Sequence, residues 1–183
     1  ATINVPLLSA DEPEAPKFDS SEWQTQVERL TTAIKENPKN VGLYSRRGDA
    51  HFFLGQFAEA VDDYDQMVTL EPSEEASHWR RGIALFYAKR FDEAARQFER
   101  YHSFDNVDRE NGIWRFLCQV KADGLDKAHA GLLKYEKDDR EPFGDVYRLF
   151  AGTIEPDAIL EHIQQAEVED SERQKRLFYA HLY

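Results

Sequence analysis

Apolar and small residues between positions 41 and 74 recur every three or four residues, in two stretches separated by a short polar break. This spacing is that of one face of an α-helix, so each stretch predicts an amphipathic helix. The break falls at Gly55 and Gln56, and Pro72 ends the second stretch because proline disfavours helical geometry in the residue before it. The first stretch carries Tyr44, Gly48, His51 and Leu54, and the second carries Phe57, Ala60, Val61, Tyr64, Met67 and Val68.

The same arrangement recurs 34 residues further along the chain. A fixed period of this length is typical of stacked helical repeats. Glycine within a helix costs about 1 kcal/mol relative to alanine. Keeping it twice at the same place therefore predicts two close helix crossings, with the bulky aromatics filling the space between units. The matching pairs are Gly48 and Gly82, Phe57 and Phe91, Ala60 and Ala94, Tyr64 and Phe98, and Pro38 and Pro72.

These residues resemble the tetratricopeptide repeat. Its unit has an aromatic residue at position 4, glycine at position 8, an aromatic at 17, alanine at 20, an aromatic at 24 and proline at 32. Tyr44 holds position 4, and the matched pairs hold the other five. The resemblance implies an all-α fold, a right-handed superhelical solenoid of helix-turn-helix repeats. It also implies that the concave face, lined by the first helix of each unit, receives the ligand.

The repeat pattern divides the chain into an N-terminal arm at 1–20 and a repeat domain at 21–183. The third unit is predicted to carry Leu125, Ala128, Leu132 and Tyr135 on its second helix, in step with the unit before. Phe116 stands at its glycine position, so this crossing is expected to be looser or shifted. Pro156 predicts the start of a second helix in the fourth unit. The predicted parts of the domain are a half repeat at 21–40, repeats at 41–74 and 75–108, degenerate repeats at 109–140 and 141–168, and an unfinished repeat at 169–183.

The composition fits a stacked helical domain and limits the classes of partner that the chain is expected to bind. Of the 183 residues, 41% are hydrophobic, enough for a continuous core between helices, and no apolar run is long enough to predict a membrane span. The formal net charge of −12 would repel a phosphate backbone, which argues against nucleic-acid binding. The charge serves solubility or the steering of a basic partner. Cys118 stands alone, so no intramolecular disulfide forms, and its apolar neighbours predict a buried thiol.

The first residues bear on location. Leu7, Leu8, Ser9 and Ala10 precede an acidic, proline-rich spacer and resemble the end of a secretory signal. They predict an exported protein of the periplasm or cell envelope. Asp11 stands where a lipoprotein would have its lipid-bearing cysteine, so lipid attachment there is excluded. The alternative is a cytoplasmic chain whose first residues form an N-terminal arm.

No constellation of reactive side chains is found in the sequence. The phosphate-binding and nucleophile motifs are absent, and no cofactor or metal is expected. Asp62, Asp63 and Asp65 lie around a helix at a spacing that predicts exposure to solvent rather than a shared acid–base pocket. The chain is therefore predicted not to be an enzyme. Six histidines without a ligand pattern are expected to be structural: His51, His78, His102, His129, His162 and His181.

The predicted function is protein binding on the concave face, through aromatic side chains on the first helices. The alternative for Phe52 and Phe86 is that they fill gaps between units. Repeats that bind the C-terminal carboxylate of chaperones have lysine at position 5 and asparagine at position 9, where this chain has Ser45 and Asp49, so it does not resemble them. The candidate residues are Ser45, Asp49, Phe52, Phe53, Trp79, Ile83, Phe86, Tyr87, Ile113 and Leu117.

From His78 onward the chain also resembles the NlpI-like tetratricopeptide lipoproteins of bacterial envelopes. The residues that carry this are 78–87, 113–117 and 176–183. The resemblance implies an envelope adaptor, often a homodimer, that presents peptidoglycan hydrolases to a protease. The alternative function is a self-assembling scaffold, in which the unfinished last repeat buries its apolar side chains on another copy. The candidate residues for this contact are Leu177, Phe178, Leu182 and Tyr183.

Overall fold

The computed structural model describes residues 19–183, which fold into α-helices without any strand. Consecutive helices pack against each other along the chain, as the repeat pattern predicts, except that α8 packs on α6 rather than on α7. None of the helices in this range is long and apolar enough to cross a membrane. The helices are α1 (Ser21–Glu36), α2 (Val41–Phe53), α3 (Phe57–Leu70), α4 (Trp79–Tyr87), α5 (Phe91–Phe104), α6 (Arg109–Asp123), α7 (Leu125–Ala130), α8 (Phe143–Phe150), α9 (Pro156–Gln165) and α10 (Asp170–Leu182), with a 3₁₀ helix at Pro72–Glu74.

The two matched glycines lie where the two helices of a unit cross. A Cβ atom on Gly48 would lie 2.6 Å from the ring of Tyr64, and one on Gly82 would lie 2.6 Å from the ring of Phe98. Both rings are fully buried. Any side chain at either position would therefore displace a packed aromatic ring, which explains why glycine is kept within these helices.

An arginine at one repeat position joins neighbouring units. Arg81 Nε donates to Asp65 Oδ1 of the preceding unit at 2.7 Å, and its Nη1 donates to Gln97 Oε1 of its own unit at 2.7 Å. One period earlier, Arg47 Nη1 donates to Thr31 Oγ1 of the preceding half repeat at 3.0 Å, and Arg47 also donates to both carboxylate oxygens of Asp63 of its own unit, at 2.9 and 2.6 Å. These bonds satisfy polar groups between the helices and fix the stacking of one unit on the next.

The predicted solvent exposure of the three aspartates is wrong for one of them. Asp62 is exposed and Asp65 is half-buried, but Asp63 is only 3% exposed. The Arg47 guanidinium forms a bidentate ion pair with Asp63, so its carboxylate is buried with its charge compensated. The spacing of the apolar residues does not reveal such a partner, because it places every charged residue on the solvent-exposed face of the helix.

The third unit departs from the prediction in its second helix. Its helix α7 ends at Ala130, so Leu132 and Tyr135 lie in a non-helical segment rather than on the predicted helix. Gly131 caps α7, and its carbonyl accepts a hydrogen bond from Arg115 Nη1. The carbonyl thereby gains a partner outside the helix, and the chain continues as the non-helical segment up to α8.

The close crossing in this unit is shifted, which was one of the two expected outcomes. A Cβ atom on Gly112, one helical turn before Phe116, would lie 2.8 Å from the Tyr147 ring and would also collide with Tyr135. Phe116 itself packs against His129, with ring centroids 5.3 Å apart. In this unit the glycine thus stands one turn earlier than in the units before it, so the crossing lies one turn closer to the start of α6.

The C-terminal helices form the last layer of the stack. Helix α9 begins at Pro156, as predicted, and α8 packs between α6 and α10. Helix α10 contains no buried residue. It is attached through Arg173, which donates to backbone carbonyls at and after the end of α9, and through Tyr179 and Tyr183, whose rings pack on Phe143.

Candidate protein-binding surface

A cavity of about 260 Å³ opens between α4 and α6, where the first helices of the second and third units lie side by side. Two of the predicted concave residues, Trp79 and Ile83, form one wall. The opposite wall is polar and comes from α6 and from the segment before α8. We call this cavity the inter-repeat groove. Its lining residues are Trp79, Ile83, Phe98, Tyr101, Asp108, Glu110, Asn111, Trp114 and Arg140.

Large aromatic side chains on α2 and α4 remain open to solvent. Phe53, Trp79 and Tyr87 are 53%, 44% and 49% exposed. The Phe53 ring stacks on Trp23 with centroids 4.5 Å apart, and Tyr87 stacks on Phe57 at 4.7 Å. Phe53 also meets Phe52 edge-on, and Tyr87 meets Phe86 and Trp114. These contacts fix each ring and leave about half of its surface exposed, an arrangement suited to anchoring a partner side chain.

The other predicted apolar residues contribute less surface. Phe52, Ile83 and Phe86 are partly buried and pack against the core of the second and third helix pairs. Ile113 is fully buried with Phe143 in the C-terminal core, so its predicted place on the open concave face is wrong. The reason is that α8 packs across α6 at this point.

Leu117, the last residue predicted for this face, is partly buried against the same C-terminal core. The third unit therefore offers little apolar surface from its predicted positions. Among the residues predicted for the concave face, the solvent-exposed apolar ones lie on α2 and α4.

Ser45 and Asp49 are both half-buried on α2. The Asp49 carboxylate accepts a hydrogen bond from the Tyr64 hydroxyl at 2.7 Å and forms an ion pair with Arg80 at 3.1 Å. A ligand carboxylate at this place would meet a negative charge that is already engaged by the nearby arginine. This geometry is unfavourable for binding a free C-terminus.

The polar wall of the groove is an ion-pair cluster, and none of its residues is among those predicted from the sequence for the binding site. Arg140 Nη2 donates to Glu110 Oε2 at 2.5 Å, and its Nη1 lies 3.4 Å from Asp108 Oδ1. The guanidinium also lies over the Phe143 ring, 4.2 Å from its centroid. The groove thus has an aromatic wall and a charged wall with an excess of carboxylates.

The four residues predicted for self-assembly do not share one face. Phe178 and Leu182 are 62% and 56% exposed and, with Leu177, line a shallow open depression on α10. Tyr183 instead points back towards α6, and its hydroxyl donates to Glu110 Oε1 at 2.5 Å. Only the first three are therefore placed for contact with another copy.

No group of histidine, cysteine and acidic side chains suited to a metal ion occurs within residues 19–183. Cys118 is fully buried, as predicted, and burial raises the pKa of its thiol to about 12. The protonated thiol is a poor nucleophile at neutral pH.

His78, at the N-cap of α4, is buried and uncharged. Its Nδ1 accepts from the Arg81 backbone N–H at 3.3 Å. Burial, together with the charges of Arg80 and Arg81, lowers the pKa of the imidazole from 6.5 to about 4. The folded chain therefore excludes a proton that the unfolded chain binds below pH 6.5.

This exclusion predicts acid sensitivity. Between pH 6.5 and pH 4 the unfolded state binds more protons than the folded state, so stability falls as the pH falls, by about 3 kcal/mol from His78 alone. Urea unfolding at several pH values measures this slope. The variant His78→Phe should have a markedly smaller slope across the same window. Equal slopes in the two proteins would show that His78 is not the group responsible.

Comparisons with known proteins agree with this architecture. The tetratricopeptide repeat family model matches residues 27–75 and 45–106. The tetratricopeptide repeats predicted from the sequence are therefore confirmed in this segment, and the predicted all-α solenoid is confirmed by the helices.

Three relatives illustrate the range of similar proteins. The chain is 25% identical over 120 residues to the Protein SGT1 homolog of Bos taurus, covering 62% of this chain and 36% of that protein. It is 28% identical over 122 residues to Hsp70-Hsp90 organizing protein 2 of Arabidopsis thaliana, covering 66% and 20%. It is 31% identical over 90 residues to Tetratricopeptide repeat protein 16 of Homo sapiens, covering 49% and 10%. The chain thus spans less than two fifths of each relative.

These relatives come from animals and plants, and the comparisons do not support the likeness to bacterial envelope lipoproteins. The envelope location, the link to peptidoglycan hydrolases and the homodimer stay predictions. What the relatives and this chain share is the repeat domain.

Proposed function

We propose that this chain is a protein-binding adaptor that holds a segment of its partner on the concave face, in and beside the inter-repeat groove. The observation that carries the proposal is the exposure of Trp79 and Tyr87 on α4, next to a groove with one aromatic and one charged wall. Solvent-exposed aromatic anchors beside a concave polar site are typical of interfaces in which a few residues supply most of the affinity.

The excess of carboxylates and the net charge of −12 favour a partner segment that is basic or rich in hydrogen-bond donors. Three of the relatives are named as Hsp70-Hsp90 organizing proteins, which makes a chaperone a candidate partner for this chain. We propose a mode other than capture of a C-terminal carboxylate, because Asp49 is negative and already pairs with Arg80. A synthetic peptide with a free C-terminus should then bind no better than its amidated form.

Co-purification of partners from native extract tests the adaptor function. The double variant Trp79→Ala/Tyr87→Ala should lose most of the recovered partner, because each anchor contributes about 2 kcal/mol or more when it is a hot spot. Leu125→Ala is the control, since Leu125 is a 53% exposed apolar residue at the start of α7 and does not line the groove. Equal recovery by the double variant and the control would contradict the proposed surface.

A narrower version of the proposal is an envelope adaptor that presents peptidoglycan hydrolases to a protease. It rests on the residues of the NlpI-like resemblance alone, and it goes with an exported location, with the cytoplasm as the alternative. Identification of the recovered partners by mass spectrometry, with fractionation of native cells, decides it. Recovery of chaperones from a cytoplasmic fraction would overturn the envelope role and leave the adaptor function intact.

Self-assembly is a second candidate because Phe178 and Leu182 leave an apolar patch on α10. Light scattering of the wild type and of Phe178→Ala/Leu182→Ala distinguishes the two functions. A monomer at every accessible concentration would exclude the self-assembling scaffold.

A further inference from the structure

The residue that follows α10 contacts a side chain of the inter-repeat groove. Tyr183, which directly follows α10, donates a hydrogen bond to Glu110 Oε1 of α6 at 2.5 Å. Glu110 lines the groove, and Arg140 occupies its other carboxylate oxygen at 2.5 Å. Both oxygens of this carboxylate are therefore engaged while α10 is in place.

Elsewhere α10 is attached at its start, where Arg173 donates to backbone carbonyls at and after the end of α9. It has no buried residue, and Phe178 and Leu182 on its far face point to solvent. Elements with little buried apolar surface are the first to open in local unfolding. The contacts of Tyr179 and Tyr183 on Phe143, at 5.1 and 6.1 Å, and the Tyr183 hydrogen bond thus hold the end of the helix.

We propose that Tyr183 is an intramolecular latch: while it is bound to Glu110, α10 blocks this edge of the inter-repeat groove, and its release frees the carboxylate for a partner. This inference rests on the proposed function. The partner segment must then offer what Tyr183 offers, an aromatic side chain that carries a hydrogen-bond donor. Such a segment would compete directly with α10.

The hydroxyl remains a donor over the whole physiological range. Burial and the hydrogen bond to Glu110 both raise the pKa of Tyr183, so it keeps its proton at neutral and alkaline pH. The latch therefore needs displacement by a competing donor, and a mild rise in pH does not open it.

Two substitutions on α10 separate the latch from mere packing. Tyr183→Phe removes the hydroxyl and keeps the ring. Tyr179→Phe is the matched control, because Tyr179 lies one turn earlier on the same Phe143 ring and no hydrogen bond of its hydroxyl is found among residues 19–183. Neither substitution alters a buried residue, so both variants are expected to fold.

The first measurement is amide hydrogen exchange of α10 in the full chain. A hydrogen bond to a charged group is strong enough that its loss should make α10 exchange about tenfold faster in Tyr183→Phe, with the exchange of α2–α5 unchanged. Tyr179→Phe should exchange like the wild type. Wild-type exchange rates in Tyr183→Phe would overturn the latch, whatever the adaptor function proves to be.

The second measurement uses a fluorescent synthetic peptide of residues 170–183 as a competing segment. Its apparent affinity should rise up to about tenfold on Tyr183→Phe, because the site is then less occupied by the chain's own helix. The same peptide with phenylalanine at its own position 183 should bind more weakly to that variant. If exchange increases but peptide affinity does not, α10 does not block the groove and the proposal fails, while co-purification still decides the adaptor function.

Discussion

Replacing Phe98 with alanine is expected to lower the free energy of unfolding by about 3–5 kcal/mol. Phe98 is fully buried in the central core and fills the space above Gly82, which has no side chain that could move into the gap. Urea unfolding followed by far-UV circular dichroism measures the change. This is one of the two largest effects that the structure predicts.

The contact between Phe98 and Gly82 has its own test. Gly82→Ala places a Cβ atom 2.6 Å from the Phe98 ring, and overpacking of this kind costs about 1–3 kcal/mol, partly offset by the better helix propensity of alanine. In a Phe98→Leu background the same alanine should cost less, which a double-mutant cycle reports as coupling. Additive effects would show that the ring does not limit the crossing.

Gly144→Ala is the matched control for this substitution. Gly144 lies within α8, and a Cβ atom there would have no neighbour within 4 Å. Alanine should therefore stabilise the chain, by up to about 1 kcal/mol, through helix propensity alone. A comparable loss of stability at both glycines would mean that the crossing geometry is not the cause.

The 34-residue period allows much of the fold to be predicted because it records which positions touch. Gly48 and Tyr64 could be paired before any coordinates, since a glycine and an aromatic recur together in the next unit. The ends of α3 and the start of α9 follow from Pro72 and Pro156, because proline acts through the local backbone. These features depend on neighbours near in sequence.

The third unit could not be predicted in the same way. Leu132 and Tyr135 keep helical spacing with Leu125, yet α7 ends at Ala130, and the Gly131 carbonyl bonds Arg115. Tyr135 still packs at the Gly112 crossing from a non-helical segment. Spacing therefore identified a packing residue correctly but not its backbone conformation, because the side-chain contact can be made from either.

The candidate site shows the same division. The aromatic wall at Trp79 could be inferred from position within the repeat, because the first helix of each unit lines the concave face. The charged wall joins Glu110 to Arg140, 30 residues away on the segment before α8, and only the folded chain brings them together. Burial of Ile113 likewise depends on how α8 crosses α6.

A signal for the burial of Asp63 did exist in the sequence. Arg47 recurs as Arg81 and Asp63 recurs as Gln97, each 34 residues later, and in both units the arginine bonds the second residue. The spacing of the apolar residues alone places Asp63 in solvent, because it carries no information about a polar partner. An arginine and a hydrogen-bond acceptor that recur together at the repeat period predict a bond between helices.

Replacing Asp63 with alanine is therefore expected to lower the free energy of unfolding by about 3–5 kcal/mol, because it leaves the Arg47 guanidinium without its partner between two packed helices. The side chains are 4% and 20% exposed, so solvent compensates little of the lost charge. Asp62→Ala is the matched control: its side chain is exposed, and the change should stay within about 0.5 kcal/mol.

The double variant Arg47→Met/Asp63→Leu distinguishes a lost ion pair from lost packing. Replacing both partners with apolar side chains removes the uncompensated charge, so the double variant should be more stable than Asp63→Ala alone. Urea unfolding of the wild type, Asp63→Ala, Asp62→Ala and the double variant gives the four free energies of unfolding to compare. If the double variant is as unstable as Asp63→Ala, the cost lies in packing around position 63, and the Arg47–Asp63 pair does not hold α2 against α3.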